Sequence, residues 1–194
     1  MARPAQFDKT EVLKQATATF WQMGFSATSI SDLVEATQLK PGSIYAAFNS
    51  KEGLFLESID YYGQQSVSKV WQCLNQSPNP LDGIKNFLAM LVDETQQDSH
   101  QRGCFLVNTI LEVAPHNEKV KEKVNRYIKA LESCFLNALR SAQKEHFLSA
   151  NKNPAKLANY LMVTIWGIRV MQRISTDKNA FESATQQYLK LLED

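Results

Sequence analysis

Residues 24–55 read GFSATSISDLVEATQLKPGSIYAAFNSKEGLF, and this stretch decides the fold. It contains two short apolar helical patterns on either side of a break near Pro41 and Gly42. Gly24 predicts the end of a preceding helix, because glycine tolerates the left-handed backbone that follows a helix C-terminus. The stretch therefore predicts two helices joined by a tight turn, over about residues 29–48.

The first helix of this pair is expected to begin at a polar cap. Thr28 or Ser29 is the predicted N-cap, since a side-chain oxygen there accepts a hydrogen bond from a backbone N–H of the first turn. Asp32 follows within that turn, where its negative charge faces the positive end of the helix dipole. Residues 8–21 carry an apolar stripe at three- and four-residue spacing and predict an earlier helix.

The second helix of the pair is predicted to carry in its first turn a residue, Gly42, that helix stability alone does not explain. Pro41 suits the first turn of a helix, whereas Gly42 costs about 1 kcal/mol relative to alanine within one. A helix that must approach another backbone closely would justify this glycine. Ile44 and Phe48 lie four residues apart and are expected to anchor the helix. The residues turned outward, placed to lie in a DNA major groove, are Lys40, Gly42, Ser43, Tyr45 and Ala46.

A further helix is predicted to begin after Asn49 or Ser50. Residues 50–53 are close to a capping box but lack its Glu or Gln. Lys51, in the first turn and beside the N–H groups of the helix start, suits a phosphate oxygen. The complete set of predicted DNA-contacting residues is Thr28, Ser29, Lys40, Pro41, Gly42, Ser43, Tyr45, Ala46 and Lys51.

The segments GFSATSISDL and GSIYAAFNSKEGLF resemble the N-terminal domain of the TetR family of transcriptional repressors, over roughly the first quarter of the chain. The resemblance implies an all-α protein of about nine helices. It has a three-helix, helix-turn-helix DNA-binding domain over residues 1–50 and a helical effector-binding and dimerisation domain over 51–194. It also implies that residues 40–48 form the recognition helix, with Tyr45 and Lys51 on phosphates.

The same resemblance implies a mechanism. A homodimer binds a palindromic double-stranded DNA operator and releases it when a small molecule binds. Ala47 departs from the family pattern, which commonly has a large aromatic residue or a histidine there. A helical module whose residues 40–48 contact protein rather than DNA remains an open alternative.

The composition is that of an ordinary globular protein. Of its 194 residues, 44% are hydrophobic, which is enough for a sizeable core. A cytoplasmic protein is expected, because no apolar run approaches a membrane span and the N-terminus lacks the apolar middle of a signal peptide. Residues 1–51 carry five basic and four acidic side chains. DNA affinity should therefore depend on placement: Arg3 on an N-terminal arm, with Lys40 and Lys51 beside the groove.

An enzyme is not expected. His100, His116 and His146 are scattered in polar segments without metal-ligand spacing. There is no glycine-rich phosphate loop, and no cofactor or metal is predicted.

The rest of the chain reads as helices, without strand-like alternation or repeats. Residues 51–76 predict one long connecting helix whose inner side includes Trp71, and the prolines at 78 and 80 end it. This helix touches both predicted domains and is expected to transmit the effect of the ligand. Further helices are predicted over 81–97, 102–114, 117–147, 155–174 and 180–192.

The last two predicted helices form the expected dimer interface. Residues 155–174 are apolar around most of the helix circumference, which is too much for a helix with one wet face. Two such helices are suited to pack against their own copies as a four-helix interface. TetR-like proteins commonly dimerise through such a pair, so residues 155–192 are the predicted interface. A helix central to the monomer core is the alternative.

An effector pocket is expected between the helices of the second domain. Aromatic residues and polar residues within apolar segments are the candidates for its lining, although core packing and structural hydrogen bonds remain the alternative for each. These candidates are Phe87, Cys104, Phe105, Asn108, Tyr127, Phe135, Trp166 and Arg169.

Cys104 is the candidate reactive residue, because it follows Arg102 and Gly103 at a predicted helix start, and a helix N-terminus and a nearby cation both favour a thiolate. An Arg-Gly-Cys start also occurs in a TetR branch that includes electrophile and oxidant sensors. A thiol-sensing repressor is thus the alternative to a small-molecule effector, and an inert thiol is the default. Cys73 and Cys134 look like small core residues.

Overall fold

The computed structural model describes residues 7–98, 100–175 and 177–193. Within them lie nine α-helices and one 3-10 turn, Ala114–His116, and these residues contain no strand. The all-α prediction of about nine helices is confirmed. The helices are α1 Lys9–Met23, α2 Ile30–Thr37, α3 Pro41–Phe48, α4 Lys51–Asn75, α5 Pro80–Gln97, α6 Phe105–Glu112, α7 Glu118–Lys144, α8 Pro154–Met171 and α9 Lys178–Glu193.

Local signals fix the ends of the first two helices. Gly24 ends α1 with a φ of +83°, and its N–H donates to the Phe20 carbonyl over 2.8 Å. Ser29, rather than Thr28, caps α2. Its hydroxyl accepts from the Asp32 N–H at 3.1 Å, while the Asp32 carboxylate accepts from the Ser29 N–H at 2.7 Å. This reciprocal pair is a capping box with aspartate in the place of the usual glutamate.

Helix α3 begins at Pro41 and is anchored to the protein through its buried face. Ile44 and Phe48 are both buried, as their four-residue spacing predicts. They pack in one core with Ala16, Phe20 and Leu33 of the first two helices. The anchoring prediction is confirmed, and the opposite face of α3 is left outward.

Helix α4 joins two cores. Its first half contributes Leu54, Phe55 and Ile59 to a core shared by the N-terminal helices, α6 and the start of α7. Its second half contributes Val70 and Leu74 to a core shared by α5, α7, α8 and α9. The prediction that this helix touches both halves of the protein is confirmed.

Two features of the helices differ from the sequence-based expectation. Trp71 is 58% exposed rather than inward, because it lies one position, or about 100°, around the helix from the buried Val70. Helix α6 begins at Phe105 rather than at residue 102, because Gly103 has a φ of +69°. A Cβ at Gly103 would lie 2.7 Å from the Arg169 carbonyl oxygen, so the chain needs glycine there.

No helix among the described residues is long and apolar enough to cross a membrane.

Candidate nucleic-acid interface and interior cavity

The outward face of α3 presents most of the predicted DNA-contacting residues. Ser43 is half-buried, and Ser29, at the start of α2, is exposed. A Cβ at Gly42 would meet nothing within 4 Å, so the packing of the protein itself gives no reason for glycine. This favours a close approach by another molecule. The exposed members of the α3 set are Lys40, Pro41, Gly42, Tyr45 and Ala46.

Thr28 does not belong to this surface. Its side chain is only 1% exposed, and its hydroxyl donates to the Gly24 carbonyl over 2.5 Å. Thr28 was expected as a possible cap, but Ser29 takes that position and turns Thr28 inward. Thr28 therefore stabilises the turn between α1 and α2.

Lys51 also has a structural role that the sequence did not indicate. Its ammonium donates to the carbonyl oxygens of Phe25 and Thr28, at 2.9 and 2.8 Å, and lies 4.4 Å from the centre of the Phe25 ring. The lysine thus ties α4 to the turn between α1 and α2. Its predicted phosphate contact stays a prediction. Arg3, predicted on an N-terminal arm, lies outside the described residues.

A cavity of about 670 Å³ lies between α4, α5, α7 and α8, with Trp21 of α1 at its edge. This volume is within the range of sites for drug-sized molecules. Five of the predicted lining residues do line it: Phe87, Cys104, Phe135, Trp166 and Arg169.

The other three candidates lie elsewhere, because each turns toward a different neighbour. Phe105 packs edge-on against Phe55, with ring centres 5.7 Å apart, and borders a smaller depression of about 270 Å³ between α1 and α6. Asn108 borders the same depression and donates to the Arg102 carbonyl at 2.9 Å. The Tyr127 hydroxyl donates to Asp60 at 2.8 Å, and its ring covers Gly63 of α4.

An ion-pair network forms one part of the cavity wall. Arg169 donates to Glu94 at 2.6 Å and to the Gln172 side-chain oxygen at 3.2 Å, so its structural partners are side chains rather than a neighbouring backbone. Lys69 pairs with the other oxygen of Glu94. Burial raises the pKa of Glu94, but the hydrogen bonds from Lys69 and Arg169 outweigh it and hold the pKa below its usual value. Glu94 is therefore ionised at neutral pH.

Asp98 holds the segment that precedes α6. It accepts from the Arg102 backbone N–H at 2.6 Å and from the Arg102 side chain at 3.1 Å. The Gln172 amide donates to the same carboxylate at 3.3 Å. These bonds fix Arg102, Gly103 and Cys104 at the edge of the cavity.

Cys104 is the N-cap residue of α6, and its sulfur accepts a long hydrogen bond from the Tyr62 hydroxyl at 3.8 Å. Burial raises the pKa of Tyr62 well above its usual value, so this hydroxyl remains a donor. The other two cysteines, Cys73 and Cys134, are half-buried, and burial raises the pKa of each thiol. All three cysteines are free thiols.

Two contacts join the N-terminal helices to the two ends of α6 and were not predicted from the sequence. The Trp21 indole donates to the Arg102 carbonyl at 3.1 Å. At the other end of α6, the Glu112 carboxylate accepts from the backbone N–H groups of Phe25 at 3.1 Å and Ser26 at 2.8 Å. The partners lie more than 80 positions apart in the chain, and no local pattern marks them.

Helices α8 and α9 leave an apolar stripe uncovered. Ile174, just beyond α8, is 77% exposed. Gly167 lies on the same face, and a Cβ there would meet nothing within 4 Å. The spacing of three, four or seven residues places the α8 members on one side of the helix. The exposed apolar side chains of this stripe are Tyr160, Val163, Val170, Met171, Ile174 and Leu191.

Comparison with known proteins gives matches along nearly the whole chain. The HTH-type transcriptional repressor ComR of Escherichia coli is 27% identical over 172 residues, which cover 88% of this chain and 82% of ComR. The uncharacterized HTH-type transcriptional regulator YezE of Bacillus subtilis is 23% identical over 194 residues, with both chains fully covered.

Two solved structures are similar in fold and sequence. One is a cysteine-substituted variant of the TetR family transcriptional regulator CifR in complex with 26-base-pair operator DNA. It has a TM-score of 0.86 and 27% identity and covers 97% of this chain and 98% of its own. The other is a TetR transcriptional regulator from Chloroflexus aurantiacus, with a TM-score of 0.85 and 25% identity over 96% of this chain and 95% of its own.

Family sequence profiles match an N-terminal and a C-terminal segment of the chain. The profile described as bacterial regulatory proteins, tetR family, matches residues 12–58. The profile described as the tetracyclin repressor-like C-terminal domain matches residues 80–188, which is more than half of the chain. With the exposed helix α3, the interior cavity and these matches together, the chain belongs to the TetR family of transcriptional regulators.

Proposed function

We propose that this protein is a ligand-responsive repressor that binds a palindromic DNA operator as a homodimer and releases it when a small molecule fills the interior cavity. The observation that carries the proposal is the outward face of α3, with Tyr45 47% exposed and Gly42 facing open space above the buried Ile44. Support also comes from the similar protein CifR, whose structure is a complex with operator DNA. Chromosomal DNA as the partner accords with a cytoplasmic location.

In this proposal the residues of α3 divide between positioning and reading. Tyr45 contacts a phosphate, and Gly42 and Ala46 let the helix approach the DNA closely. Lys40 and Ser43 contact base edges in the major groove. Lys51 contributes chiefly by holding the turn before α2 against the start of α4.

The dimer forms through the apolar stripe on α8 and α9. Burying such a stripe against its symmetric copy gives a four-helix interface, which removes apolar side chains such as Val163 and Ile174 from water. The two-fold axis then sets the distance between the two α3 helices, and with it the spacing of the half-sites.

Release of DNA follows from the contacts at the two ends of α6. Arg102 and Cys104 precede this helix and line the cavity, while Glu112 at its end holds the N–H groups of Phe25 and Ser26. A ligand that displaces the start of α6 also displaces the turn that leads into α2. Helix α4 carries the same displacement, since it packs against α1 and the cavity.

A thiol-sensing repressor is the second candidate, favoured by the position of Cys104 in the cavity wall. Its test is Cys104→Ser. A variant that binds DNA normally and ignores an electrophile that releases the wild type would support it, and an unchanged response would exclude it.

The test of DNA binding is a mobility shift with the DNA that flanks the protein's own gene. Wild type should give a shifted complex, and Tyr45→Ala should lose it. Phe147→Ala is the matched control, because Phe147 is 48% exposed and lies outside α3. Normal binding by Tyr45→Ala would refute the assigned surface, and a wild type that binds protein partners but no duplex would favour an interaction module.

A further inference from the structure

The interior cavity has an apolar side and a charged side. The apolar side includes Phe87, Phe135 and Trp166, which suit the body of an aromatic or aliphatic ligand. The charged side has three cations and two carboxylates, which leaves a net charge of +1. Its members are Lys69, Glu94, Asp98, Arg102 and Arg169.

The carboxylates of this charged side are already satisfied by the protein. Glu94 accepts from Lys69 with one oxygen and from Arg169 with the other. Asp98 accepts from Arg102 on both oxygens and from Gln172 as well. A ligand that offers only hydrogen-bond donors would therefore have to displace these internal partners.

The cations, in contrast, hold donors that the protein does not use. A guanidinium has five N–H groups and an ammonium three. Among the described residues, Arg169 uses one amino group on Glu94 and the other on Gln172, and Lys69 donates only to Glu94. Trp166 lines the same cavity. On the charged side, the cations thus have donors left over, whereas each oxygen of Glu94 and Asp98 already accepts a hydrogen bond.

We infer that the effector is an amphipathic organic carboxylate, whose apolar body packs on Phe87, Phe135 and Trp166 and whose carboxylate accepts from Arg169 and Lys69. This inference rests on the proposed function, because it names the class of molecule that fills the regulatory cavity. A carboxylate supplies the missing acceptors and neutralises the net positive charge in one group. An amine of the same shape is positively charged and would be repelled by the net positive charge of the wall. An amide is neutral and could not neutralise that charge.

The experiment is a binding titration followed by intrinsic fluorescence. Trp21 and Trp166 line the cavity, whereas Trp71 is exposed, so Trp71→Phe gives a background that reports on the cavity. The probes are 4-phenylbutyrate, its primary amide and 4-phenylbutylamine. The carboxylate should bind about tenfold or more tightly than either analogue, as hydrogen bonds to a charged group imply.

Two substitutions in this background locate the carboxylate. Arg169→Gln should abolish the preference for the carboxylate over the amide. Glu94→Gln should increase it, because it removes the internal competitor for Arg169 and raises the net charge of the wall. Arg140→Gln and Glu122→Gln are the matched controls at exposed positions of α7, and both should leave the preference for the carboxylate over the amide unchanged. Circular dichroism checks that each variant is folded.

A preference for the amine, equal affinity for the three probes, or no binding of any probe overturns the inference. So does a preference that survives Arg169→Gln in a folded variant. The mobility shift is scored separately on the same protein. DNA binding without a carboxylate preference removes only this inference, whereas a carboxylate preference without DNA binding removes the proposed function.

Discussion

The indole of Trp21 donates a hydrogen bond to the carbonyl oxygen of Arg102 over 3.1 Å, although the two residues are 81 positions apart. The Arg102 guanidinium lies 4.5 Å from the centre of the same indole ring and bonds Asp98 in the cavity wall. One arginine therefore contacts α1 and the cavity at once. This contact gives α1 a direct link to the site where a ligand would bind.

Trp21→Phe should lower the free energy of unfolding by about 1–2 kcal/mol, because it removes a partly buried hydrogen bond and weakens the stacking of Arg102. Urea unfolding at neutral pH measures this. Trp71→Phe is the control at an exposed position and should stay within about 0.5 kcal/mol of wild type. If both variants lost the same free energy of unfolding, the contact between Trp21 and Arg102 would make no specific contribution to stability.

Gly42→Ala should increase the stability of the protein and decrease its affinity for DNA. Alanine is the better helix residue by up to about 1 kcal/mol, and its methyl group meets no protein atom within 4 Å, so the fold should become more stable. Operator affinity should nevertheless fall, by about tenfold for a loss near 1.4 kcal/mol. Thermal unfolding and a mobility shift on the same preparation measure the two effects.

Gly53→Ala provides the contrast, since a Cβ there would overlap the Phe48 carbonyl oxygen and must destabilise the start of α4. If Gly42→Ala bound the operator as tightly as wild type, close approach of α3 to DNA would be excluded.

Lys51→Met should destabilise the protein by about 1–2 kcal/mol, since it removes the bonds to the Phe25 and Thr28 carbonyls. Lys129→Met, at an exposed position of α7, should change stability by less than about 0.5 kcal/mol. A lysine that acted only on phosphate would give a different result. Stability would be unchanged, and only the salt dependence of DNA binding would become shallower.

Val163→Glu should convert the dimer to a monomer, because it places an unpaired charge in the centre of the apolar stripe on α8. Sedimentation velocity at micromolar concentration distinguishes the two states. Phe147→Glu, which adds the same charge to an exposed aromatic position outside the stripe, should remain dimeric. If the Val163→Glu protein remained dimeric, the dimer interface would have to lie outside α8.

The first three helices could be predicted from sequence because their signals are local. Gly24, Ser29 with Asp32, and Pro41 each fix a helix end through neighbours within a few residues. The four-residue spacing of Ile44 and Phe48 fixes the face that is buried. These are short-range effects, and a single sequence contains them.

The cavity could be predicted only in part, because periodicity gives the buried face of a helix but not the neighbour that covers it. Tyr127 and Phe135 both lie on the inner side of α7. Phe135 lines the cavity, whereas Tyr127, two turns earlier, packs over Gly63 of α4. The structural bonds of Lys51 and Thr28 could not be predicted for the same reason: their partners are backbone carbonyls that are brought into position only in the folded turn.

The apolar interior of the three N-terminal helices passes without interruption into Phe55 of α4 and Phe105 of α6. A chimera that transplants residues 1–50 onto an unrelated helical body would lack those aromatic rings, would leave Phe20 and Phe25, which pack on Phe55, without this partner, and would lose the Lys51 and Glu112 anchors. Reprogramming this regulator to a new operator is therefore better attempted by exchanging the outward side chains of α3 than by exchanging whole segments.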